Sequence, residues 1–310
     1  MDEYDIVIVG GGGAGLTAAI YAARAQRRTA VFERGVTGGQ IATTDAVENF
    51  PGFPEGINGF DLAQKMQEQA KRFGAEIIAD EIVSLERDAH GGFVLATSGA
   101  RYHARAVILT AGADYNKLGV GGEDEFVGRG VSYCATCDAA FFKGDAVVVV
   151  GGGDAALDEG EFVTRYADSV TIVHRRDSLR AAALLQERAF ANPKIRFKWD
   201  TVVEAIEGGD HVERVVLRNV KTGEITTMAT AAVFIFIGQT PNSGLLSGLV
   251  ETDRGGHAIV DLQMRTSVPG LFVAGDVRTQ SVRQLISATG DGATAAIAAD
   301  HWLASVNEQH

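Results

Sequence analysis

Cysteine and proline are scarce in this sequence, and long hydrophobic runs are absent from it. Its 310 residues include only 2 Cys and 5 Pro. A chain of this length buries about 75% of its extended surface on folding, so it needs no disulfide scaffold. No apolar stretch approaches the roughly 18 residues of a membrane span. The sequence therefore excludes a disulfide-rich secreted domain and predicts no transmembrane segment.

Positively charged residues are also few relative to negatively charged ones. Lys and Arg number 28 against 40 Asp and Glu, which gives a net charge of −12. Because phosphate backbones repel a protein of this sign, generic nucleic-acid binding is not expected. The first residues, MDEYDIVIVG, lack the basic and apolar segments of a signal peptide. We expect a cytoplasmic protein with no nucleic-acid or membrane partner.

Glycine, by contrast, is abundant at 38 residues, and part of the excess lies in a strand–turn–helix pattern. Residues 5–9 (DIVIV) are typical of a buried parallel strand, residues 14–27 of a helix and residues 29–33 of a second strand. The turn at 10–15 reads G-x-G-x-x-G, which lets the backbone approach a pyrophosphate at a helix N-terminus. Glu33 ends the second strand, where a carboxylate can accept hydrogen bonds from ribose hydroxyls.

The same pattern recurs in the middle of the chain. The run AVVVV at 146–150 leads into G-x-G-x-x-A at 151–156, and the next strand is predicted at 169–174. The first glycine and the end of the second strand are equally spaced in both units, 10 to 33 and 151 to 174. Basic residues follow the second strand here: His174, Arg175, Arg176 and Arg180. Arginines bind a 2′-phosphate bidentately and a carboxylate repels it, so this unit is predicted to prefer NADP(H) to NAD(H).

Both cysteines of the chain lie between these repeats, in the C-x-x-C pair Cys134 and Cys137. A zinc site needs about four ligands and no second cysteine pair exists. A redox disulfide is therefore favoured over a structural metal or inert thiols, and no metal site is predicted. Asp138 follows the second thiol and can move the proton that thiol–disulfide exchange requires. The competing interpretation is an ordinary carboxylate at a helix start.

Two further motifs lie near the C-terminus. Gly275 and Asp276 follow the apolar strand LFVA, and an Asp at a strand end can bond a ribityl hydroxyl. Arg283, Gln284 and Leu285 open the last helix. A helix start aimed at a flavin would stabilise its reduced anion, although a capped surface helix would have the same sequence. Two nucleotide sites together suggest a flavin and a nicotinamide, whose rings must approach closely for hydride transfer.

The order of these motifs resembles that of the low-molecular-weight thioredoxin reductases over essentially the whole chain. The resemblance rests on both glycine fingerprints and on GGQ at 38–40, VENFPG at 47–52, CATCD, HRRD, GxxPN at 238–242, AGD and RQ. It implies an α/β protein with two Rossmann-like nucleotide-binding domains. An FAD-binding domain at 1–113 and 243–310 would be split by an NADPH-binding domain at 114–242 that carries the cysteines. It also implies a homodimer whose partner is thioredoxin or a thioredoxin-like protein.

The resemblance assigns roles residue by residue. Cys137 would be the thiol nearest the flavin, Cys134 the thiol that attacks the partner disulfide, and Asp138 the acid and base. The residues implied to hold FAD are Gly10, Gly12, Gly13, Ala14, Gly15, Glu33, Arg34, Gly38, Gly39, Gln40, Asn49, Gly275, Asp276, Arg283, Gln284 and Leu285. The residues implied to hold NADPH are Gly151, Gly153, Asp154, Ala155, His174, Arg175, Arg176 and Arg180.

Four positions depart from the family pattern: Gly13, Ala111, Ala139 and Val282. Gly13 replaces a usual Pro and is expected to loosen the turn, and Ala139 replaces a usual Gly and would be strained at a positive φ. Two other functions remain open. One is a small-molecule dithiol oxidase or low-molecular-weight disulfide reductase on the same fold, and the other is a nucleotide-sensing binding protein without turnover. The intact cysteine pair disfavours the sensor, and the arginines disfavour a ferredoxin as electron donor.

Overall fold

The chain folds into two compact units that alternate along the sequence. The computed structural model describes residues 1–44, 47–89 and 91–307. Unit 1 comprises Met1–Asp114 and Thr240–His310, and unit 2 comprises Tyr115–Gln239. Where the chain leaves and re-enters unit 1, Asn242 donates its backbone N–H to the Gly112 carbonyl oxygen and its side-chain amide to the Ala111 carbonyl oxygen, each at 3.0 Å.

Both units contain α-helices and β-strands. The α-helices of the described residues are α1 (Gly13–Arg24), α2 (Gly59–Arg72), α3 (Ala135–Asp138), α4 (Asp154–Val163), α5 (Ala183–Ala191) and α6 (Leu285–Asn307). The strands are β1 (Asp2–Val9), β2 (Thr29–Phe32), β3 (Glu76–Ile78), β4 (Ser84–Arg87), β5 (Phe93–Ala96), β6 (Arg101–Leu109), β7 (Ala113–Tyr115), β8 (Val131–Ser132), β9 (Ala146–Gly151), β10 (Ser169–Val173), β11 (Ile195–Lys198), β12 (Thr201–Gly208), β13 (Val212–Asn219), β14 (Ile225–Ala229), β15 (Ala232–Phe236), β16 (Gln239–Pro241) and β17 (Leu271–Val273). Short 3-10 segments lie at Gly39–Thr43, Ala139–Phe142 and Gly244–Leu246.

Unit 1 is built on a seven-stranded mixed sheet in the order β3-β2-β1-β6-β5-β4, with β17 also paired to β6. The strands β1, β2, β3, β6 and β17 run parallel to one another, whereas β4 and β5 are antiparallel additions. Residues 101–104 of β6 pair with β5 and residues 107–109 pair with β17. The carboxyl ends of β1, β2, β6 and β17 therefore meet at one edge, the edge at which such sheets bind ligands.

Helices α1 and α6 pack together against this sheet through small residues. Most of the residues that α1 buries are alanines, and Ala295, Ala296, Ala298 and Ala299 of α6 are buried in the same core cluster. The helices approach so closely that a Cβ added at Gly292 would overlap the carbonyl oxygen of Ala14. This contact holds the start of α6 beside the turn that precedes α1. None of the helices in the described ranges is long and apolar enough to cross a membrane.

Unit 2 repeats the arrangement on a smaller scale. Its five-stranded parallel sheet has the order β11-β10-β9-β15-β8, so that β11-β10-β9 corresponds to β3-β2-β1 of unit 1. A separate antiparallel sheet consists of β12, β13 and β14. The short strands β7 and β16, which pair with each other, lie where the chain passes from one unit to the other. The central strand β9 is nearly all valine and is buried because helices and the second sheet cover its two faces.

Candidate functional site

The first glycine turn follows β1 and lies against the end of β6. Gly10 has a φ of +107°, and an added Cβ would lie 2.5 Å from the carbonyl oxygen of Thr110. The Thr110 hydroxyl donates to the Gly10 carbonyl oxygen at 2.7 Å. The Gly38 N–H donates to the Gly11 carbonyl oxygen at 2.8 Å, and Gln40 in the same loop donates its side-chain amide to a backbone carbonyl. Both the backbone conformation and the close contact require glycine at position 10.

Glu33 lies beside this turn, immediately after β2. Its Oε2 accepts the N–H of Gly11 at 2.7 Å, and its Oε1 accepts the N–H of Gly35 at 2.8 Å. Each carboxylate oxygen can accept a second hydrogen bond, so both remain able to receive a ribose hydroxyl. Glu33 and Arg34 line a cleft of about 460 Å³ that begins at Gly10. The cleft opens at the carboxyl ends of β1 and β2.

Asp276 follows β17 and belongs to a polar network formed by the loop after β17 and by α6. The Ser281 hydroxyl donates to Asp276 Oδ1 at 2.6 Å. Asp291 accepts the Gly275 N–H at 3.1 Å and two hydrogen bonds from the Arg278 guanidinium at 2.7 and 2.8 Å. Burial raises the pKa of Asp276, and the Ser281 hydroxyl opposes that shift. Arg278 and Asp291, which no sequence motif singled out, therefore fix the turn that carries Asp276.

The start of α6 reaches the first glycine turn. Arg283 adopts a φ of +57°, and Gln284 accepts a hydrogen bond from the Asn49 side chain at 3.1 Å. The Leu285 side chain occupies the space that a Cβ of Gly13 would need. A leucine side chain thus fills the space beside the glycine that replaces the usual proline, and the loosening expected from the sequence stays a prediction. Val282, just before this segment, is 68% exposed.

The second glycine turn follows β9 and is bordered by the loop after β10. Gly151 has a φ of +153°, and an added Cβ would lie 2.5 Å from a carbonyl oxygen of β15. The Arg180 N–H donates to the Gly152 carbonyl oxygen at 2.8 Å, and Asp154 Oδ1 accepts the Ala182 N–H at 2.7 Å. These bonds hold residues 180–182 alongside the turn. Gly153 is the N-cap and Ala155 the second residue of α4, as Gly12 and Ala14 are of α1.

The four basic residues predicted to bind the phosphate occupy two environments. His174 is buried, its ring packs against Gly152, and its Nε2 lies 3.1 Å from a backbone carbonyl oxygen. Burial lowers the pKa of His174, so its ring is neutral at pH 7 and supports the loop without adding charge. Arg175, Arg176 and Arg180 are exposed, and their side chains form no ion pair within the described part of the chain. The positive charge for a phosphate therefore comes from the arginines.

The cysteine pair forms a disulfide at the start of α3. The Cα atoms of Cys134 and Cys137 are 5.3 Å apart, and the Cys137 N–H donates to Cys134 Sγ at 3.2 Å. Cys137 is exposed, whereas Cys134 is half-buried. Ala139 has a φ of −59° and is buried, so its methyl group causes no backbone strain and does not face a partner. Among the residues that the structure describes, no cluster of His, Cys, Asp or Glu could hold a metal ion.

The carboxylate of Asp138 is half-buried at the end of α3. Burial raises its pKa, and the Ser132 hydroxyl, which donates to Oδ2 at 2.6 Å, partly opposes that shift. Ser132 also accepts the Cys134 N–H at 3.1 Å and so connects the carboxylate to the redox pair. A raised carboxyl pKa beside two thiols suits proton exchange closer to neutral pH.

A second carboxylate network precedes the cysteines. Glu123 is buried, and it accepts the N–H groups of Leu118 and Gly119 at 2.9 and 2.7 Å and the Tyr133 hydroxyl at 2.8 Å. Burial and this hydrogen bond raise the pKa of Tyr133, whose ring stacks on that of Tyr115 at 5.0 Å between centroids. The network fixes the residue before Cys134. The sequence carries no signal for it, because Glu123 stands beside two exposed acidic residues, at 124 and 125.

The sequence matches the pyridine nucleotide-disulphide oxidoreductase family over residues 4–292. It is 49% identical over 302 residues to a thioredoxin reductase of Treponema pallidum, which covers 97% of each chain. It is also 49% identical over 306 residues to that of Bacillus subtilis, covering 98% of this chain and 96% of the relative. This chain belongs to the thioredoxin reductase family. The crystal structure of a family member from Streptococcus pyogenes has a TM-score of 0.93 at 46% identity and covers 98% of this chain and 99% of its own.

The resemblance drawn from the motifs is confirmed by these relatives, and so is the fold class of two Rossmann-like domains. Thioredoxin reductases are oxidoreductases, so the alternative of a sensor without turnover is wrong. Every residue predicted to hold FAD lies in unit 1. Every residue predicted to hold NADPH lies in unit 2 together with the cysteines and Asp138.

Proposed function

We propose that this chain reduces the disulfide of a thioredoxin with NADPH as electron donor and FAD as carrier. The observation that carries the proposal is the Cys134–Cys137 disulfide in the same unit as an arginine-flanked glycine turn. Unit 1 holds a second turn of the same design, flanked by a carboxylate. These features supply a donor site, a carrier site and an acceptor dithiol. The names of the relatives support thioredoxin as the partner.

Unit 1 fits FAD. The cleft of about 460 Å³ runs from Gly10 past Glu33, whose oxygens retain lone pairs for ribose hydroxyls. Asp276 follows β17 on the same edge of the sheet, and we propose that its carboxylate accepts a ribityl hydroxyl. We assign unit 1 as the FAD-binding domain, for which the sequence predicted the ranges 1–113 and 243–310.

Unit 2 fits NADPH. A Cβ added at Gly153 would meet no atom within 4 Å, so the turn leaves room for a pyrophosphate. Arg175, Arg176 and Arg180 stand at the end of β10, where the 2′-phosphate of NADPH is expected. We assign unit 2 as the NADPH-binding domain, predicted as 114–242, and we propose a cytoplasmic homodimer.

The chain's own chemistry is thiol–disulfide exchange. When bound, the two nucleotides supply hydride transfer and two-electron reduction. In the reduced pair, the Cys134 thiolate attacks one sulfur of the thioredoxin disulfide, which breaks that bond and forms a mixed disulfide. Cys137 then attacks Cys134 Sγ, which releases the second thioredoxin thiolate and restores the Cys134–Cys137 bond. Two electrons pass to thioredoxin, and the two protons come from the Cys134 and Cys137 thiols.

We propose that Asp138 moves one of these protons. Its raised pKa brings it closer to protonation at working pH, and the Ser132 hydroxyl keeps Oδ2 in a fixed position. A carboxyl group held in this way can take the proton of a cysteine thiol and return it to a departing thiolate. The conventional order, in which Cys134 attacks the partner, rests on the family resemblance, since Cys137 is the more exposed residue here.

A coupled assay tests the proposal. The purified protein should be yellow with bound flavin, and NADPH oxidation should depend on thioredoxin from the same cell. NADH should substitute poorly at equal concentration. Absence of flavin, or rapid oxygen consumption with a small dithiol and no thioredoxin-dependent turnover, would overturn it.

A further inference from the structure

Two carboxylates flank the loop that carries the arginines. Asp177 directly follows Arg176, and the Asp200 N–H donates to the Arg176 carbonyl oxygen at 3.1 Å. Negative charges in and beside the loop that carries the arginines oppose anion binding there, because exposed charges act on one another over about a Debye length, roughly 8–10 Å. The loop therefore needs compensation if it is to select a 2′-phosphate.

A lysine from a separate hairpin provides that compensation. Lys221 lies in the turn between β13 and β14, and its Nζ is 2.8 Å from Asp177 Oδ2 and 3.1 Å from Asp200 Oδ2. Pairing with Lys221 lowers the pKa of Asp177, and the two carboxylates raise the pKa of Lys221. Asp177 and Lys221 therefore form a charged pair at neutral pH.

The hairpin turn holds the lysine in place. Asn219 Oδ1 accepts the N–H groups of Lys221 and Thr222 at 2.9 and 3.0 Å. The Val220 N–H donates to the Asp200 carbonyl oxygen at 2.6 Å. The hairpin turn, the connection between β11 and β12 and the loop after β10 are thus hydrogen-bonded in series.

We propose that Lys221 is a specificity-determining residue for the 2′-phosphate of NADP(H), because it neutralises Asp177 and Asp200. It acts through these carboxylates and is not itself a phosphate ligand. Without it, the carboxylates of Asp177 and Asp200 would lose this pairing and would reduce the net positive charge of the arginine loop that a phosphate meets. The inference rests on the assignment of NADPH to unit 2.

The test isolates the 2′-phosphate by comparing two small probes, 2′,5′-ADP and 5′-AMP. Their dissociation constants are measured by calorimetry on the flavin-loaded wild type, Lys221→Ala, Lys221→Arg and the double variant Lys221→Ala/Asp177→Asn. We expect Lys221→Ala to raise the dissociation constant of 2′,5′-ADP about three- to fivefold, which is within the effect of losing an exposed charge pair. The dissociation constant of 5′-AMP should not change. Lys221→Arg should match the wild type. The double variant should recover at least half of the loss, and added salt should shrink the difference.

Several outcomes would overturn the inference. If Lys221→Ala binds 2′,5′-ADP as tightly as the wild type, the inference is wrong. If the variant binds both probes equally more weakly and has a lower melting temperature, Lys221 has a structural role instead. No recovery in the double variant means that Lys221 touches the phosphate directly. If the wild type binds both probes equally, the NADPH assignment itself fails. That result separates failure of the proposed function from failure of the lysine's role.

Discussion

The two glycine turns have nearly the same backbone design but differ in what the following strand supplies. In unit 1, Glu33 is locked by two main-chain N–H groups, those of Gly11 and Gly35. In unit 2, the corresponding His174 is a buried, neutral ring packed on Gly152. The arginines after it are exposed.

The difference shows how one strand–turn–helix scaffold serves two nucleotides. The turn itself supplies backbone room and N–H groups for a pyrophosphate, which both nucleotides share. Selectivity comes from the end of the second strand. A carboxylate that is held rigidly can accept ribose hydroxyls, whereas an arginine cluster attracts a phosphate and depends on the charges around it.

The largest expected effect is on thioredoxin reduction, when one sulfur is removed from unit 2. Cys137→Ser should lower thioredoxin reduction by at least about 1,000-fold, because the exchange needs both thiols as a unit. Flavin content and bleaching of the flavin by NADPH should persist, since both glycine turns are untouched. Stopped-flow absorbance and the coupled assay measure the two properties. Turnover above a tenth of the wild-type rate would refute the assignment of the thiols.

A pair of alanine substitutions compares the turns directly. Gly10→Ala should lower the free energy of unfolding by about 3 kcal/mol or more and abolish flavin binding, because φ is +107° and Thr110 stands in contact. Gly153→Ala, with nothing near its Cβ, should change stability by less than about 1 kcal/mol. Denaturant unfolding and the flavin-to-protein absorbance ratio measure both. Equal destabilisation by the two variants would contradict this account of the turns.

Removing one arginine charge tests the phosphate half of the comparison. Arg176→Gln should raise KM for NADPH about 10- to 100-fold, the range for losing one or two charge-assisted hydrogen bonds. KM for NADH should stay within about twofold, since NADH has no 2′-phosphate. Steady-state kinetics with each cofactor provide the measurement, and Arg196→Gln on neighbouring β11 is a control for loss of charge alone. A parallel rise of both KM values would mean that the arginine supports structure.

The smallest expected effect concerns Asp138. Its pKa is raised in the folded protein, so the folded state holds the proton more tightly than the unfolded chain and stability falls as pH rises from the ordinary carboxyl pKa through the raised value. Asp138→Asn should therefore be slightly more stable than the wild type at pH 7, because the variant no longer keeps a partly buried carboxylate ionised. Melting curves between pH 3 and pH 8 check the sign. Asp158→Asn, at an exposed carboxylate of α4, is a control that should show no such gain.

Local patterns predicted the elements around both turns, because strand β1 and strand β9 are apolar runs that end in glycine. Helix α1 stops at Arg24, short of the predicted residue 27, because Gln26 takes a φ of +61°. The sequence analysis did not anticipate α5 and β14, since neither has a clear apolar period in isolation and both form by packing on neighbours. Hydrogen bonds between carboxylates and hydroxyl or guanidinium groups were the least predictable feature. Ser132 and Asp291 acquire partners only through contacts that local sequence does not encode.

The bonds from Asn242 to residues 111 and 112 have a consequence for engineering. They hold together the two ends of unit 1 between which unit 2 is inserted. Because the entropic cost of closing a loop grows only slowly with its length, the insertion costs the folding of unit 1 little free energy. Unit 2 should therefore behave as an exchangeable cassette. Replacing residues 115–239 by a short turn should leave a smaller protein that still retains flavin. The corresponding segment of a relative could then be transplanted at the same two junctions.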